Sequence, residues 1–212
     1  MNAATANRSY FKEAYRTGVH GWAAEPSPYV LRFLNRLKKG RLLDLGCGEG
    51  RHAIAAARLG FQVTAVDSEP LALRRARRAA RGFAVRFLKA DALRLPFPEG
   101  SFDAIIDYGC LHHQKKSDWP RYLGQILRLL APRGRYILEA FSPRFRFFRG
   151  RGRPWHIAFG AYRRCFTRAD LEALFGPHFD FLFLKEEKER GFWQAFLRRK
   201  TQIPADPKPG RG

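Results

Sequence analysis

The sequence predicts one doubly wound α/β domain, and three observations carry that expectation. Short apolar runs of strand type alternate with helical stretches from residue 29 to residue 175, the pattern of a parallel sheet covered by helices on both faces. The first run, Arg41 to Leu45, breaks into Gly46-Cys47-Gly48-Glu49-Gly50 and gives way to an alanine-rich helical stretch, His52 to Leu59. Strand, glycine turn and helix open a nucleotide-binding βαβ unit. The chain then closes on two strand-like runs, Phe179 to Glu187 and Gly191 to Arg199, joined by a charged turn. A length of 212 residues suits a single core, and no repeat or second domain is apparent.

Composition narrows the class. Hydrophobic residues make up 45% of the chain, enough for a core. No stretch approaches the roughly 20 apolar residues of a membrane span, so no membrane partner is expected. Met1 to Arg16 is polar and lacks the apolar segment of a secretory signal. Cys47, Cys110 and Cys165 are far apart and form no C-x-x-C pair, which fits a reducing, cytoplasmic compartment and no metal site. The formal charge is +21, from 40 Lys+Arg against 19 Asp+Glu. Such a charge admits an anionic partner, nucleic acid included. It equally follows from Arg-rich helix faces such as Arg74, Arg75, Arg77, Arg78 and Arg81.

The elements follow in order. Residues 1–25 form an N-terminal segment: a helix over 8–16 with Tyr10, Phe11 and Tyr15 available for packing, then a loop through Trp22. Pro26 and Pro28 introduce a helix from Tyr29 to Leu37 with apolar residues at helical spacing. In the glycine turn the missing Cβ atoms let a ligand lie against the backbone, and the next helix aims its free N–H groups at it. The spacing is G-x-G-x-G, with Arg51 where a dinucleotide fingerprint has its third glycine. An acid, Asp44, stands two residues before the turn.

Phe61 to Asp67 reads as the second strand. Asp67 stands 21 positions after Gly46, where nucleotide-binding folds place a ribose-binding acid. One carboxylate can accept two hydrogen bonds from a 2′,3′-diol. Ser68 reads as the cap of the next helix, Leu71 to Arg81. The third strand, Phe83 to Leu88, leads into Ala90-Asp91-Ala92, where Asp91 also suits a turn. The fourth strand, Ser101 to Asp107, runs into Tyr108-Gly109-Cys110-Leu111-His112-His113. Open α/β sheets bind ligands outside strand carboxyl ends, so Tyr108, His112 and His113 are candidates to orient or deprotonate an acceptor. The bland alternative has one histidine capping the sheet edge and the other solvated. A helix over 117–130 and a fifth strand over 135–141 follow.

Residues 142–164 stand apart. Arg144, Arg146, Arg149, Arg151, Arg153, Arg163 and Arg164 interleave with Phe145, Phe147, Phe148, Trp155, Phe159 and Tyr162. Three readings apply, in this order: a substrate lid whose arginines meet an acidic group, a packing loop, and a nucleic-acid patch. Trp22, Arg144, Arg146 and Trp155 are the candidate substrate contacts, though Trp22 is first a packing residue. Thr167-Arg168-Ala169-Asp170 opens a helix with a capping-box pattern. Residues 201–212 are rich in Pro and Gly and read as a disordered tail.

Asp44-Leu45-Gly46-Cys47-Gly48-Glu49-Gly50 resembles the first motif of the class I S-adenosylmethionine-dependent methyltransferases, an acid followed by G-x-G-x-G. Leu95 to Asp103, with Pro96, Phe97 and Pro98, resembles the segment before their fourth strand, as found in small-molecule members. Leu111-His112-His113 and Leu130-Ala131-Pro132-Arg133-Gly134 fit further positions, the last with one glycine only. Trp22 to Pro28 resembles the N-terminal lid of the thiopurine- and tellurite-methyltransferase-like branch. The resemblance spans residues 26–200. It implies a Rossmann-like sheet of seven strands, mostly parallel with an antiparallel C-terminal strand, and S-adenosylmethionine as cofactor. By position it implies a cofactor site of Asp44, Gly46, Cys47, Gly48 and Gly50, with Asp67 and Ser68 at the ribose. Asp91 and Ala92 would lie at the adenine, and Tyr108 and Gly109 at the methionine end.

The expected function is methyl transfer to a small-molecule acceptor. An RNA or protein methyltransferase using residues 142–164 is the alternative, although the N-P-P-Y-type motif of amino-group nucleic-acid methyltransferases is replaced by Asp107-Tyr108-Gly109-Cys110. A non-catalytic nucleic-acid-binding protein that keeps the fold is a rival of another class. An NAD-dependent oxidoreductase is disfavoured by the G-x-G-x-G spacing, Arg51 and Asp44.

Overall fold

A computed structural model of the chain describes residues 3–19, 21–150 and 152–201. The expected tail from 202 onward and Arg151 of the basic segment lie outside the described residues. In chain order the elements are α1 (Ala3–Thr17), α2 (Pro28–Leu34), β1 (Arg41–Leu45), α3 (Arg51–Arg58), β2 (Gln62–Asp67), α4 (Pro70–Ala79), β3 (Val85–Lys89) and β4 (Phe102–Tyr108). Then come α5 (Trp119–Leu129), β5 (Leu130–Phe141), β6 (Trp155–Ala158), β7 (Ala161–Arg164), α6 (Arg168–Phe175), β8 (Phe179–Glu187) and β9 (Phe192–Arg199).

Among the described residues seven strands form one sheet in the order β3-β2-β1-β4-β5-β9-β8. The first five are parallel, and β9 runs antiparallel between β5 and β8. The strand order reverses between β1 and β4, which opens the crevice of a doubly wound sheet at their carboxyl ends. Alternation along the strands separates two cores. Leu43, Leu45, Ile105 and Leu138 pack with Trp119, Tyr122, Ile126 and Phe175 on one face. Leu42, Val63, Ala104 and Ile106 pack with Val30, Phe33 and Leu34 on the other. Each fully buried aliphatic side chain contributes about 1.5–3 kcal/mol.

Several boundaries differ from expectation for local reasons. α2 stops at Leu34 because Arg36 and Leu37 donate to carbonyls three residues back, which tightens the chain into a turn. β5 begins five residues early: Leu130 already pairs with Phe102, and an irregularity follows before Ala104. Ser68 is exposed and does not cap α4; the Glu69 side chain accepts from the Leu71 N–H at 3.1 Å. The β6–β7 hairpin was not anticipated. Its turn is Phe159-Gly160, both at positive φ (51° and 77°), a primed turn without the Asn-Gly or Asp-Gly that announces one.

Candidate functional site

The glycine turn lies at the switch point. Gly46, Gly48 and Gly50 all have positive φ, between 56° and 81°, a region other residues enter only at a cost. Gly50 is the N-cap of α3. A Cβ on Gly48 would stand 2.7 Å from the Tyr15 hydroxyl. Tyr15 of α1 therefore reaches down onto the turn, and glycine at position 48 leaves room for its hydroxyl. The Gly48 N–H donates to Asp67 Oδ2 at 2.8 Å, and the Glu69 N–H donates to Asp67 Oδ1 at 2.8 Å. Asp67 thus ties the turn to the end of β2. A carboxylate has about four lone-pair sites, so both oxygens can still accept from a diol.

Asp44 is 1% exposed, and its Oδ2 has no hydrogen-bond partner within the chain. Burial pushes its carboxyl up to about 7, with the Ala53 N–H and the Arg51 charge pulling back. An orphaned buried acceptor of this kind costs stability and is relieved by a cationic donor such as an ammonium group. Burial likewise raises the Asp67 carboxyl, opposed by the Glu69 and Gly48 N–H groups.

At the end of β4, Asp107 is fully buried and serves as a clamp. It accepts from the N–H groups of Cys110 (2.9 Å) and Leu111 (3.2 Å) and from the Tyr122 (2.7 Å) and Tyr136 hydroxyls. That network fixes the turn carrying the two histidines. His112 is 4% exposed and stacks on Phe141, ring centroids 3.6 Å apart; its Nδ1 has no partner. Burial holds it well below the usual imidazole range. His113 Nδ1 lies 2.8 Å from the Tyr162 carbonyl. A carbonyl only accepts, so this nitrogen carries the hydrogen. Burial lowers His113 to about 4. Tyr108 faces the opposite side of the sheet, 4.6 Å from the His52 ring and beneath the Arg51 guanidinium at 4.8 Å. Asp91 is exposed and accepts from the Leu93 N–H at 2.9 Å, the turn geometry that was its alternative reading.

The basic segment divides. Phe145, Phe147, Phe148, Arg163 and Arg164 are packed, the last two 4% and 7% exposed. Arg144 pairs with Glu186 at 3.3 Å. Arg146 reaches Gly21, beside Trp22, which itself packs on Tyr15 (5.3 Å) and Phe11 (6.1 Å). Trp155 instead lies on Tyr162 and under Arg153. The structure therefore brings Trp22 and Arg146 together on one rim and leaves Trp155 on the hairpin's outer face.

Comparison with known proteins decides the class. Residues 42–134 match a family model described as a methyltransferase domain. An uncharacterized methyltransferase of Schizosaccharomyces pombe is 32% identical over 115 residues, which covers 51% of this chain and 79% of that protein. The chain belongs to the class I S-adenosylmethionine-dependent methyltransferases. A demethylmenaquinone methyltransferase of Thermus thermophilus is 43% identical over 108 residues, 49% of this chain and 48% of that protein. The chain spans about half the length of that relative and of its Deinococcus radiodurans counterpart. Among solved structures, a 1,6-didemethyltoxoflavin-N1-methyltransferase of Burkholderia thailandensis, with 1,6-didemethyltoxoflavin and S-adenosylhomocysteine bound, superposes with TM-score 0.76 at 28% identity, over 93% of this chain and 89% of that one.

The residues of this chain fit an S-adenosyl cofactor on their own geometry: a glycine turn at the switch point with Tyr15 above it, an orphaned buried carboxylate oxygen, and a second carboxylate at a strand end. Four neighbours were not singled out as site residues from sequence. Tyr15 was assigned to packing alone. Glu139 pairs with Tyr108 in register, is 1% exposed and leaves Oε1 unpartnered; its place at a strand's carboxyl end was a usable signal. His52 accepts from the Ser27 N–H at 3.1 Å. Asn7 joins three elements, donating to the His113 carbonyl (2.9 Å) and accepting from the Tyr162 N–H (2.7 Å). Nothing in the sequence marks these last two.

Proposed function

We propose that the chain transfers a methyl group from S-adenosylmethionine to a small-molecule acceptor, in the cytoplasm. The observation that carries this reading is the orphaned Asp44 oxygen, buried beside a glycine turn that Asp67 holds. In this reading Asp44 takes the cofactor's ammonium group, Asp67 its ribose and Asp91 the region of its adenine. The cofactor supplies a methyl group already activated on a sulfonium. The chain has little bond chemistry left to perform. It excludes water and aligns the acceptor, and alignment alone can be worth about 7–11 kcal/mol in ideal cases. Phe11, Tyr15 and Trp22 would form the outer wall and His112 with Phe141 the inner one. Burial lowers both histidines, which makes them weak bases; in this reading they orient the acceptor and do not carry its proton. The relatives named for small-molecule acceptors support this class of substrate.

The test is a methyl-transfer assay with labelled cofactor against fractionated small metabolites and total RNA. Label in a small-molecule fraction is expected. Label confined to RNA would transfer the reading to the nucleic-acid alternative, and absence of cofactor binding by calorimetry would remove it.

A further inference from the structure

We infer that the β6–β7 hairpin is a membrane-surface anchor that docks on bilayers containing anionic lipid. Five large hydrophobic residues are exposed among the described residues, and three of them, Trp155 (41%), Ile157 (49%) and Phe159 (77%), fall within five positions of this hairpin. The hairpin has two unlike faces. His156 turns inward onto Phe147 and Phe148, at 5.9 and 5.1 Å, and its cross-strand partner Arg163 is buried. Trp155 and Ile157, one residue to either side of His156, point the other way. The tip is an aromatic residue in a left-handed conformation, Phe159 at φ 51°. Bulky side chains avoid that region, and strain that persists at a solvent-facing apolar tip points to use.

The charge around the tip matches an anionic surface. Residues 142–164 contain seven arginines and no acid, and Arg146, Arg149 and Arg153 are exposed. Trp beside Arg, with an aliphatic and an aromatic residue beyond them, is the side-chain set of an interfacial anchor: ring and guanidinium at headgroup depth, apolar tip below. A nucleic acid fits this surface less well. Ile157 offers no face for a base to stack on, and the Trp155 ring already lies against Tyr162 and carries Arg153. No helix among the described residues is long and apolar enough to cross a membrane, and surface docking needs none. The hairpin's inner strand is clasped to α1 and to the His112–His113 turn through Asn7 and His113. Docking therefore sets the bilayer close to the acceptor side.

The test uses the full chain and vesicles of phosphatidylcholine with or without about one-third phosphatidylglycerol. Co-sedimentation is expected with the anionic vesicles, and it weakens as salt rises from ~0.05 to ~0.5 M and the screening length shrinks. The double variant Ile157→Ser, Phe159→Asn is expected to lose at least about tenfold in vesicle affinity, since each side chain gives up its apolar burial. Asn accepts the left-handed conformation better than Phe, so the variant keeps or raises the melting temperature, which separates lost docking from lost folding. Unchanged binding in the double variant would overturn the proposal. So would equal binding to neutral vesicles, binding to RNA without binding to vesicles, or a tip-dependent dimer in ultracentrifugation with no vesicle binding. None of these outcomes depends on methyl transfer, so failure here leaves the proposed activity standing.

Discussion

The glycine turn and the Trp155–Arg164 hairpin both border the carboxyl edge of the sheet, and they are built by opposite means. The turn is a backbone device. Its shape comes from three glycines at positive φ, its fixation from Asp67 and the first turn of α3, and all of these lie within 21 positions of sequence. The hairpin is a side-chain device. It is held by Phe147 and Phe148 beneath His156, by the Asn7 clasp across |i−j| = 155, and by Arg163 over Tyr10 at 4.8 Å. Short-range backbone demands restrict which residues can stand at each position. Long-range packing accepts many residues of the right size. One region is consequently rigid by construction, and the other rests on neighbours it meets only when the chain has folded.

That difference is sharpest when Asp67 is changed. Asp67→Ala removes the tether of the turn and two acceptors for a diol. Hydrogen bonds to a charged group are worth about 1.5–3 kcal/mol each, so cofactor affinity is expected to fall by at least about 100-fold. Calorimetry with S-adenosylhomocysteine measures it, with circular dichroism to show the fold intact. Affinity like that of the unaltered chain would place the ribose elsewhere. Changing the hairpin tip at Ile157 and Phe159 is expected to leave this affinity within about twofold, because no backbone demand connects the two.

Acid should separate the regions next. His52 beside the turn is lowered to about 3 and His113 in the clasp to about 4, both chiefly by burial. Their unfolded value is near 6.5. Between 6.5 and these values the unfolded chain takes up protons that the folded chain refuses, so stability falls as pH drops through that window. Asp44 acts in the opposite sense. Its folded value of about 7 exceeds the unfolded 3.8, and its contribution is full below about 4 and lost as pH rises to 7. Asp44→Asn is therefore expected to steepen the acid loss, and His113→Gln to flatten it. Denaturant midpoints at pH 5 and pH 7 decide. An acid response untouched by His113→Gln would mean the clasp carries no buried neutral imidazole.

If Asp44 takes the cofactor's ammonium group as proposed, the same carboxyl couples cofactor binding to protons. Below pH 7 Asp44 is protonated in the free chain and ionises when it meets an ammonium group. Affinity should rise by up to about tenfold per pH unit toward 7 and then level off. Calorimetry at pH 6 in buffers of different ionisation enthalpy should show net proton release, absent in Asp44→Asn. A flat profile in the unaltered chain would remove Asp44 from the ammonium site.

These contrasts also mark what was legible. The acid, the glycine spacing and Asp67 stand out in the sequence because each answers to a local demand; βα alternation and a terminal strand pair mark a doubly wound sheet, while its seven strands are implied by the family resemblance and their order is visible only in the structure. Ser68 does not cap α4, against expectation, because Glu69, one residue on, reaches the Leu71 N–H once Pro70 fixes the first turn. The hairpin was unreadable because Phe159-Gly160 is a poor turn in isolation and because its inner face is defined by residues as distant as Asn7. Arg163 and Arg164, which composition sends to the surface, are buried against the rings of Tyr10, Phe147 and Trp119.

The smallest expected effect tests where the two regions meet, at Tyr15 over Gly48. Gly48→Ala must hold a Cβ at φ 56° and bring it to 2.7 Å from the Tyr15 hydroxyl. The backbone term costs about 1 kcal/mol, and the clash adds to it. Tyr15→Phe removes the hydroxyl but not the φ. The double variant should therefore recover the clash and keep the backbone cost, giving a coupling of roughly 0.5–1 kcal/mol in a denaturant cycle. Zero coupling would mean that α1 does not close over the turn in solution. A positive coupling would join the N-terminal helix, and through its Asn7 clasp the hairpin, to the glycine turn of the proposed cofactor site.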